Sequence, residues 1–265
     1  MYSVNYHRAS SVAEAATLAN RCDAKYLSVG MTLIPAMKTR LAAPGDVIDL
    51  THIAELKGIT VSGDTVTICA ATTHYEVAND AAIKQVCPAL SHLASHIGDP
   101  HVRHRGTIGG SIANNDPAAD YPAAMLALGA TIVTDKRKIA AEEFFKGLFE
   151  TALDDGEIVT AVTFKVPAKA GYAKFPNPAS RYAMTGVFVA KDGAGVRVAV
   201  TGAGDDGVFR SLPLEVALSK SFDAAALQGV TVPSDNLMSD IHATAEYRAN
   251  LVVVMARRAV AAANA

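Results

Sequence analysis

A run of small and polar residues at positions 106–120 is the part of this sequence best suited to chemistry. It contains the adjacent glycines Gly109 and Gly110 between two hydroxyl residues, Thr107 and Ser111. Small side chains let backbone N–H groups approach an anion closely, and hydroxyl groups add further donors. A pyrophosphate is the anion that such a loop suits best, although an ordinary tight turn has the same composition.

A second small-residue turn lies upstream, within residues 26–33. A short apolar stretch ends at Gly30, and Thr32 and Pro35 are typical of the N-cap and first turn of a helix, predicted here to continue to Arg40. Such a strand-to-helix turn directs backbone donors and the positive end of a helix dipole toward one point. The turn lacks the spacing of a Rossmann loop, so no nicotinamide site is predicted, and a plain strand–turn–helix is the alternative.

Length and composition narrow the class of protein. The chain has 265 residues, of which 50% are hydrophobic, enough for two or three small units with a substantial core. Its formal charge of −2 and the absence of a long basic run argue against a nucleic-acid partner. The start shows no signal peptide, and the apolar stretch 251–263 is interrupted by Arg257 and Arg258, so no transmembrane segment is predicted. We therefore expect a cytoplasmic protein.

The three cysteines, Cys22, Cys69 and Cys87, are widely spaced, and no C-x-x-C pair exists. This chain therefore does not supply four thiolates to an iron–sulfur cluster. We predict that all three are buried thiols.

The pattern of elements predicts an α+β protein of three units, at 1–54, 55–168 and 169–265. The first unit alternates strands and helices, which indicates a small parallel sheet. In the second, a helical stretch at 73–97 is broken near Pro88, and the region also contains strands and a hairpin. In the third, a turn at 192–195 joins two strands, and helices begin at Pro213 and near Ala243.

Two further groups of polar residues permit more than one reading. His96, His101 and His104 suggest a metal site, but the helix-breaking residues between them do not place three imidazoles on one face, so we predict no metal. The basic residues at 103–105 are better read as a cationic rim beside the anion loop, or as a solvated loop. Asp116 and Asp120 could act as an acid–base pair, or serve in binding and capping.

Four separated segments, in this order, resemble the FAD-binding medium subunits of the molybdenum hydroxylases (the xanthine dehydrogenase and aerobic carbon monoxide dehydrogenase family). That family commonly has one loop of the form A-G-G-x-S and a second of the form T-I-G-G-N or T-I-G-G-S. The second is present at Thr107–Ser111, whereas the first is altered to Ser28-Val29-Gly30-Met31-Thr32, with one glycine in place of two. The segments 177–182 and 240–248 extend the resemblance over nearly the whole chain.

The resemblance implies a two-lobed FAD-binding fold of the vanillyl-alcohol-oxidase/PCMH type, followed by a C-terminal α+β domain with an antiparallel sheet. It places Ile97 and Val159 on the two faces of the adenine, Asp120 in a hydrogen bond to FAD, Asn177 near the cofactor and Tyr182 beside the flavin ring. The alternative for Ile97 is packing in the protein core instead of against the adenine. The alternative for Tyr182 is a strand position in the core instead of beside the flavin ring. The complete set of implied FAD-binding residues is Leu27, Ser28, Val29, Gly30, Met31, Thr32, Leu33, Ile97, Gly106, Thr107, Ile108, Gly109, Gly110, Ser111, Asp120, Val159, Asn177 and Tyr182.

The same resemblance implies an electron-transfer subunit. Its partners would be a small subunit with [2Fe-2S] clusters and a large molybdenum-cofactor subunit, assembled as a dimer of heterotrimers, and FAD would pass electrons to an external acceptor, a quinone or NAD. A stand-alone FAD-dependent oxidoreductase and a flavin-free assembly subunit remain as alternatives.

Overall fold

The computed structural model describes residues 1–20 and 23–265 and forms three main sheets in succession along the chain. The first comprises three parallel strands in the order β1-β3-β2. Its elements are β1 (Asn5–Arg8), α1 (Val12–Ala19), β2 (Ala24–Leu27), α2 (Leu33–Lys38) and β3 (Asp46–Asp49). The central strand, β3, is buried at all four positions, as expected for a strand with parallel neighbours on both sides. The predicted parallel sheet is confirmed.

The second sheet is antiparallel around its central strand and has the order β4-β5-β10-β6-β7. Its helices bury a large apolar core against it. The elements are β4 (Ile59–Ser62), β5 (Thr65–Cys69), α3 (His74–Asn79), α4 (Ala81–Val86), α5 (Pro88–Ser95), α6 (Pro100–Arg105), α7 (Ile108–Asn114), α8 (Tyr121–Ala127), β6 (Thr131–Thr134), β7 (Lys138–Ala140), α9 (Ala141–Phe144), the two-stranded ribbon of β8 (Phe145–Gly147) and β9 (Glu150–Thr151), and β10 (Val159–Lys165).

The third sheet is antiparallel in the order β11-β12-β13-β14, and it is covered by the long C-terminal helix. Its elements are β11 (Lys169–Pro176), β12 (Ala183–Asp192), β13 (Gly195–Thr201), β14 (Phe209–Arg210), α10 (Leu212–Lys220) and α11 (Ala245–Asn264). The predicted hairpin at 192–195 is confirmed. Gly171 of β11 lies so close to α11 that a Cβ there would collide with the carbonyl oxygen of Ala259.

The C-terminal segment 240–248 serves the fold rather than the cleft described below. Arg248 is 2% exposed, and its Nη1 donates to the carbonyl oxygens of Met184 and Gly202, the latter at 2.8 Å. Its Nη2 donates to Asp240 Oδ2 at 2.7 Å. A buried charge is stable only when it is paired and hydrogen-bonded. These contacts of the Arg248 guanidinium therefore join the loop before α11 to the ends of β12 and β13.

Several local predictions are confirmed and some need correction. Pro88 begins α5, so the predicted break in the helical stretch is present. Thr32 precedes α2, but its backbone is helical and its hydroxyl makes no capping bond, and α2 ends two residues before Arg40. Cys87 is buried, whereas Cys69 is partly exposed, and Cys22 lies outside the described residues. In the described chain no helix is both long and apolar enough to cross a membrane.

Candidate functional site

A cleft of about 810 Å³ runs along the junction of the three sheets. This volume lies in the range of about 300–1,000 Å³ that is usual for cofactor and ligand sites. Much of its lining comes from three segments: the β2–α2 loop, the loop and first turns around α6 and α7, and residues 179–182 from the C-terminal unit. The cleft contains sixteen of the implied FAD-binding residues, which are Leu27, Ser28, Val29, Gly30, Met31, Thr32, Leu33, Ile97, Gly106, Thr107, Gly109, Gly110, Ser111, Asp120, Val159 and Tyr182.

The β2–α2 loop offers backbone donors to the cleft. In the part of the chain that the structure describes, the amides of residues 29–33 have no hydrogen-bond acceptor. Gly30 has a φ of +74°, a left-handed conformation that glycine adopts without strain, and a Cβ there would overlap the side chain of Ile34. Successive free N–H groups around a left-handed residue form a concave anion-binding surface. The loop is therefore suited to a phosphate group despite its single glycine.

The amides at the start of α7 are already occupied by the protein. Ile108 N donates to Thr72 O at 3.1 Å, and Gly109 N donates to Ala70 O at 2.9 Å. Thr107 caps the helix, since its hydroxyl accepts from Gly110 N at 3.2 Å. Among the amides of residues 106–111, only that of Thr107 has no acceptor in the described chain, so this loop offers an anion one N–H group besides its hydroxyls. The larger set of free amides lies in the opposite loop, and anion binding by the loop at 106–111 stays a prediction.

The two adjacent glycines of α7 have different roles. A Cβ at Gly109 would lie 2.5 Å from Ala70 Cβ and 2.8 Å from Ala70 O, so this glycine is required for packing against β5. A Cβ at Gly110 would meet only Thr107 Oγ1 at 3.0 Å and Ser28 Cβ at 3.9 Å, and it would therefore project between the two loops. One hydroxyl from each loop reaches this point: Ser28 Oγ lies 3.0 Å from Thr107 Oγ1.

Two of the implied site residues lie outside the cleft lining. Ile108 is fully buried in the apolar core that packs against the second sheet. The amide oxygen of Asn177 accepts from Ala179 N at 2.9 Å and Ser180 N at 3.2 Å. Asn177 thus shapes the turn that carries Arg181 and Tyr182 rather than lining the cleft.

Apolar walls and one aromatic ring complete the cleft. Ile97 and Val159 both line it. Tyr182 is 47% exposed, which corrects its alternative placement in the core. Burial and the charges of Asp116 and Asp120 raise the pKa of the Tyr182 hydroxyl, so it remains a neutral donor at neutral pH.

Asp120 is a buried carboxylate of the cleft, with 4% exposure. It accepts hydrogen bonds from the Tyr172 hydroxyl and from Lys174, whose Nζ lies 2.9 Å from Oδ1. Burial raises the pKa of Asp120, and the Lys174 charge and the Tyr172 hydrogen bond act in the opposite direction. Asp116 instead closes a turn by accepting from Ala118 N at 2.9 Å, as expected for a loop residue.

The predicted cationic rim is not present in the expected form. Residues 103–105 do not line the cleft, and Arg103 Nη1 donates to Ile97 O at 3.0 Å and Gly98 O at 3.1 Å. His96 follows α5, and its ring lies tilted against that of His92, with the ring centroids 4.2 Å apart, while His104 stacks on Tyr75. His96 and His104 therefore have separate structural surroundings. Among the described residues, Arg181 is the arginine that lines the cleft.

His74 is a cleft residue that the sequence analysis missed. Burial, with a contribution from the Arg103 charge, lowers its pKa to about 4, so the imidazole is neutral at neutral pH. Its Nδ1 has no hydrogen-bond partner among the described residues. A Cβ at Gly106 would lie 2.5 Å from His74 Nε2, which explains the small residue there. A histidine at a helix start carries no signal for this role in the sequence.

Glu157 anchors the end of the cleft beside β10. Its carboxylate accepts from Arg137 Nη2 at 2.9 Å, Thr134 Oγ1 at 2.7 Å and Asp154 N at 2.8 Å. The hydrogen bond from Arg137 is the largest cause that holds the pKa of Glu157 at about 2, below its ordinary 4.5. The folded state therefore favours the ionised form.

We predict that Glu157→Gln lowers the free energy of unfolding at pH 7 by about 1.5–3 kcal/mol, the usual contribution of a hydrogen bond to a charged group. Because the folded pKa is depressed, this stabilisation is present above pH 4.5 and is lost as the pH falls toward 2. Urea unfolding of the wild type and of Glu157→Gln over this pH range tests this prediction. A stability difference that stays constant from pH 7 to pH 2 would assign the effect to packing instead.

Comparison with known proteins defines the class. The family model described as "FAD binding domain in molybdopterin dehydrogenase" matches residues 2–168, well over half of the chain. The chain therefore belongs to the FAD-binding subunits of the molybdenum hydroxylases, which are oxidoreductase subunits with FAD as cofactor.

The similarity to individual relatives extends over the whole chain. The chain is 35% identical to the carbon monoxide dehydrogenase medium chain of Afipia carboxidovorans, over 99% of this chain and 97% of the relative. It is 33% identical to the nicotine 6-hydroxylase medium subunit of Paenarthrobacter nicotinovorans, over 99% and 98% of the two chains. A solved structure of reconstituted CO dehydrogenase from Oligotropha carboxidovorans superimposes with a TM-score of 0.88 at 33% identity, covering 99% and 98%.

Proposed function

We propose that the cleft holds FAD with its pyrophosphate against the β2–α2 loop. The five free amides of residues 29–33 are the observation that carries this assignment, because the other candidate donors, at the start of α7, are already bonded. The hydroxyls of Ser28 and Thr107 meet at the same point, and because one donates to the other, the pair retains one O–H donor for the ligand. Gly110 and Ser111, in the first turns of α7, have small side chains and complete this wall of the cleft.

The remaining contacts follow from the chemistry of the lining. Ile97 and Val159 would enclose the adenine between apolar surfaces. Tyr182, half-exposed and neutral, would pack against the flavin ring and limit its access to water. Asp120 would accept a hydrogen bond from the cofactor while Lys174 and Tyr172 hold its carboxylate in place. Asn177 would act through the turn that it shapes.

The chain would then act as the electron-transfer subunit of a larger complex. When bound, FAD supplies chemistry that takes up single electrons and releases pairs. This chain would bind and orient the cofactor, within a two-lobed fold of the vanillyl-alcohol-oxidase/PCMH type. A small partner would supply the [2Fe-2S] clusters and a large partner the molybdenum centre, consistent with the absence of a C-x-x-C pair in this sequence. The dimer of heterotrimers, the quinone or NAD acceptor and the cytoplasmic location stay predictions.

We expect the isolated, FAD-loaded chain to oxidise no organic substrate, because the substrate centre would lie on another subunit. After reduction with dithionite it should still reduce a dye or a quinone, since that reaction needs only an accessible flavin edge. The measurement compares flavin bleaching by aldehydes, N-heterocycles and carbon monoxide in the single chain and in the chain with co-purified partners.

Bleaching only in the assembled complex would support the electron-transfer role and would reveal the substrate class of the large subunit. Bleaching of the purified single chain by any of these substrates would contradict it and would favour a stand-alone oxidoreductase. A chain that folds and assembles with its partners but contains no flavin would favour the assembly subunit.

A further inference from the structure

A second cavity, of about 600 Å³, lies beside the segment that joins α5 to α6. The end of α5, the turn after β11 and the outer face of α11 form its walls. Its polar lining is dominated by basic side chains, which are His92, His96, Arg103, Lys174, Arg181 and Arg258. No aspartate or glutamate lines it in the described chain.

The charges of this cavity are only partly compensated. Lys174 is paired with the buried Asp120 at 2.9 Å. Arg103 donates to two carbonyl oxygens, which orient its guanidinium without neutralising it. Arg181 and Arg258 are exposed, and neither forms an ion pair within the described residues. Asp99, the carboxylate whose pKa the Arg181 charge helps to lower, faces the FAD cleft rather than this cavity.

The geometry of the donors selects the kind of ligand. Guanidinium groups present planar pairs of N–H donors that match the oxygens of phosphate and carboxylate groups. Three arginines that converge on a concave cavity concentrate positive potential, since the low-dielectric walls focus the field. A neutral or cationic ligand would leave these donors and charges without a counterpart.

We propose that this cavity is a binding site for a small polyanion that carries phosphate or carboxylate groups, separate from the FAD cleft. The inference does not depend on FAD binding. Arg181 and Gly98 line both cavities, so they are unsuitable for a test that must distinguish the two sites. Arg258 lines only the second cavity and lies on the outer face of α11, which makes it the residue to change.

The test is calorimetric titration of the purified chain, as isolated, with pyrophosphate and separately with citrate, at constant ionic strength. We expect saturable binding that Arg258→Gln weakens about tenfold, as for the loss of one hydrogen bond to a charged group. Arg257→Gln is the matched control, because Arg257 is the exposed neighbour on α11 and does not line the cavity. Pyrophosphate and citrate distinguish phosphate from carboxylate as the preferred group.

A cleft variant, Ser28→Ala, should leave this binding unchanged. The proposal would be overturned by the absence of saturable binding, by equal losses in Arg258→Gln and Arg257→Gln, or by pyrophosphate binding that Ser28→Ala weakens and Arg258→Gln does not. The last result would place the anion in the cleft.

Discussion

Gly110→Val is expected to remove FAD from the chain while its thermal unfolding stays close to that of the wild type. The backbone of Gly110 is helical, with no left-handed φ, so valine is not strained there beyond its modest helix propensity. The branched side chain would instead project between Ser28 and Thr107, into the space proposed for the pyrophosphate. Flavin content and the unfolding temperature, measured on the same preparation, test this expectation.

The neighbouring glycine provides the matched control. Gly109→Ala would place a methyl group 2.8 Å from the backbone oxygen of Ala70, so this variant should lose stability through overpacking, by about 1–3 kcal/mol. Gly110→Ala, with a smaller side chain in the cleft, should retain more FAD than Gly110→Val. Normal flavin content in Gly110→Val would contradict the placement of the pyrophosphate between the two loops.

Asp120→Ala is expected to lower both the stability of the chain and its affinity for FAD. It leaves the ammonium group of Lys174, which is 5% exposed, without its carboxylate, and breaking a buried ion pair costs about 3–5 kcal/mol of stability. It also removes the proposed hydrogen bond to FAD, which should weaken binding by about 1–3 kcal/mol. Urea unfolding of the apoprotein and titration with FAD measure the two effects separately.

A double variant, Asp120→Ala with Lys174→Met, separates stability from binding. Removing both partners of a buried pair is often close to neutral, so the unfolding free energy should recover substantially. The affinity for FAD should not recover if Asp120 contacts the cofactor. Full recovery of affinity in the double variant would make Asp120 a structural residue only.

The sequence predicted the parallel first sheet, the break at Pro88 and the hairpin at 192–195 because local signals determine them. Alternating strands and helices, a proline at a helix start and a glycine-rich turn each act within a few residues. The C-terminal motif 240–248 was recognisable as a pattern. Its structural role depends on the three-dimensional contacts of Arg248, which joins the ends of β12 and β13.

The details of the cleft depended on contacts between distant segments. Gly109 and Gly110 are equivalent in the sequence, and only the position of Ala70 on β5 distinguishes packing from binding. The amides of Ile108 and Gly109 donate to the carbonyl oxygens of Thr72 and Ala70, which are distant in the sequence. The sequence carries no signal for His74 because Gly106 and Tyr121, which lie against its ring, are distant from it along the chain. The limits of the three units stay predictions, although one main sheet falls within each.

The most direct test of the central claim is the cofactor content of the purified chain. The protein is expressed with its partners, separated from them and denatured, and the released small molecules are identified by chromatography and mass spectrometry. We predict one FAD per chain, and the same stoichiometry when the apoprotein is titrated with FAD. A folded chain that releases no flavin and binds none on titration would contradict the assignment of the cleft.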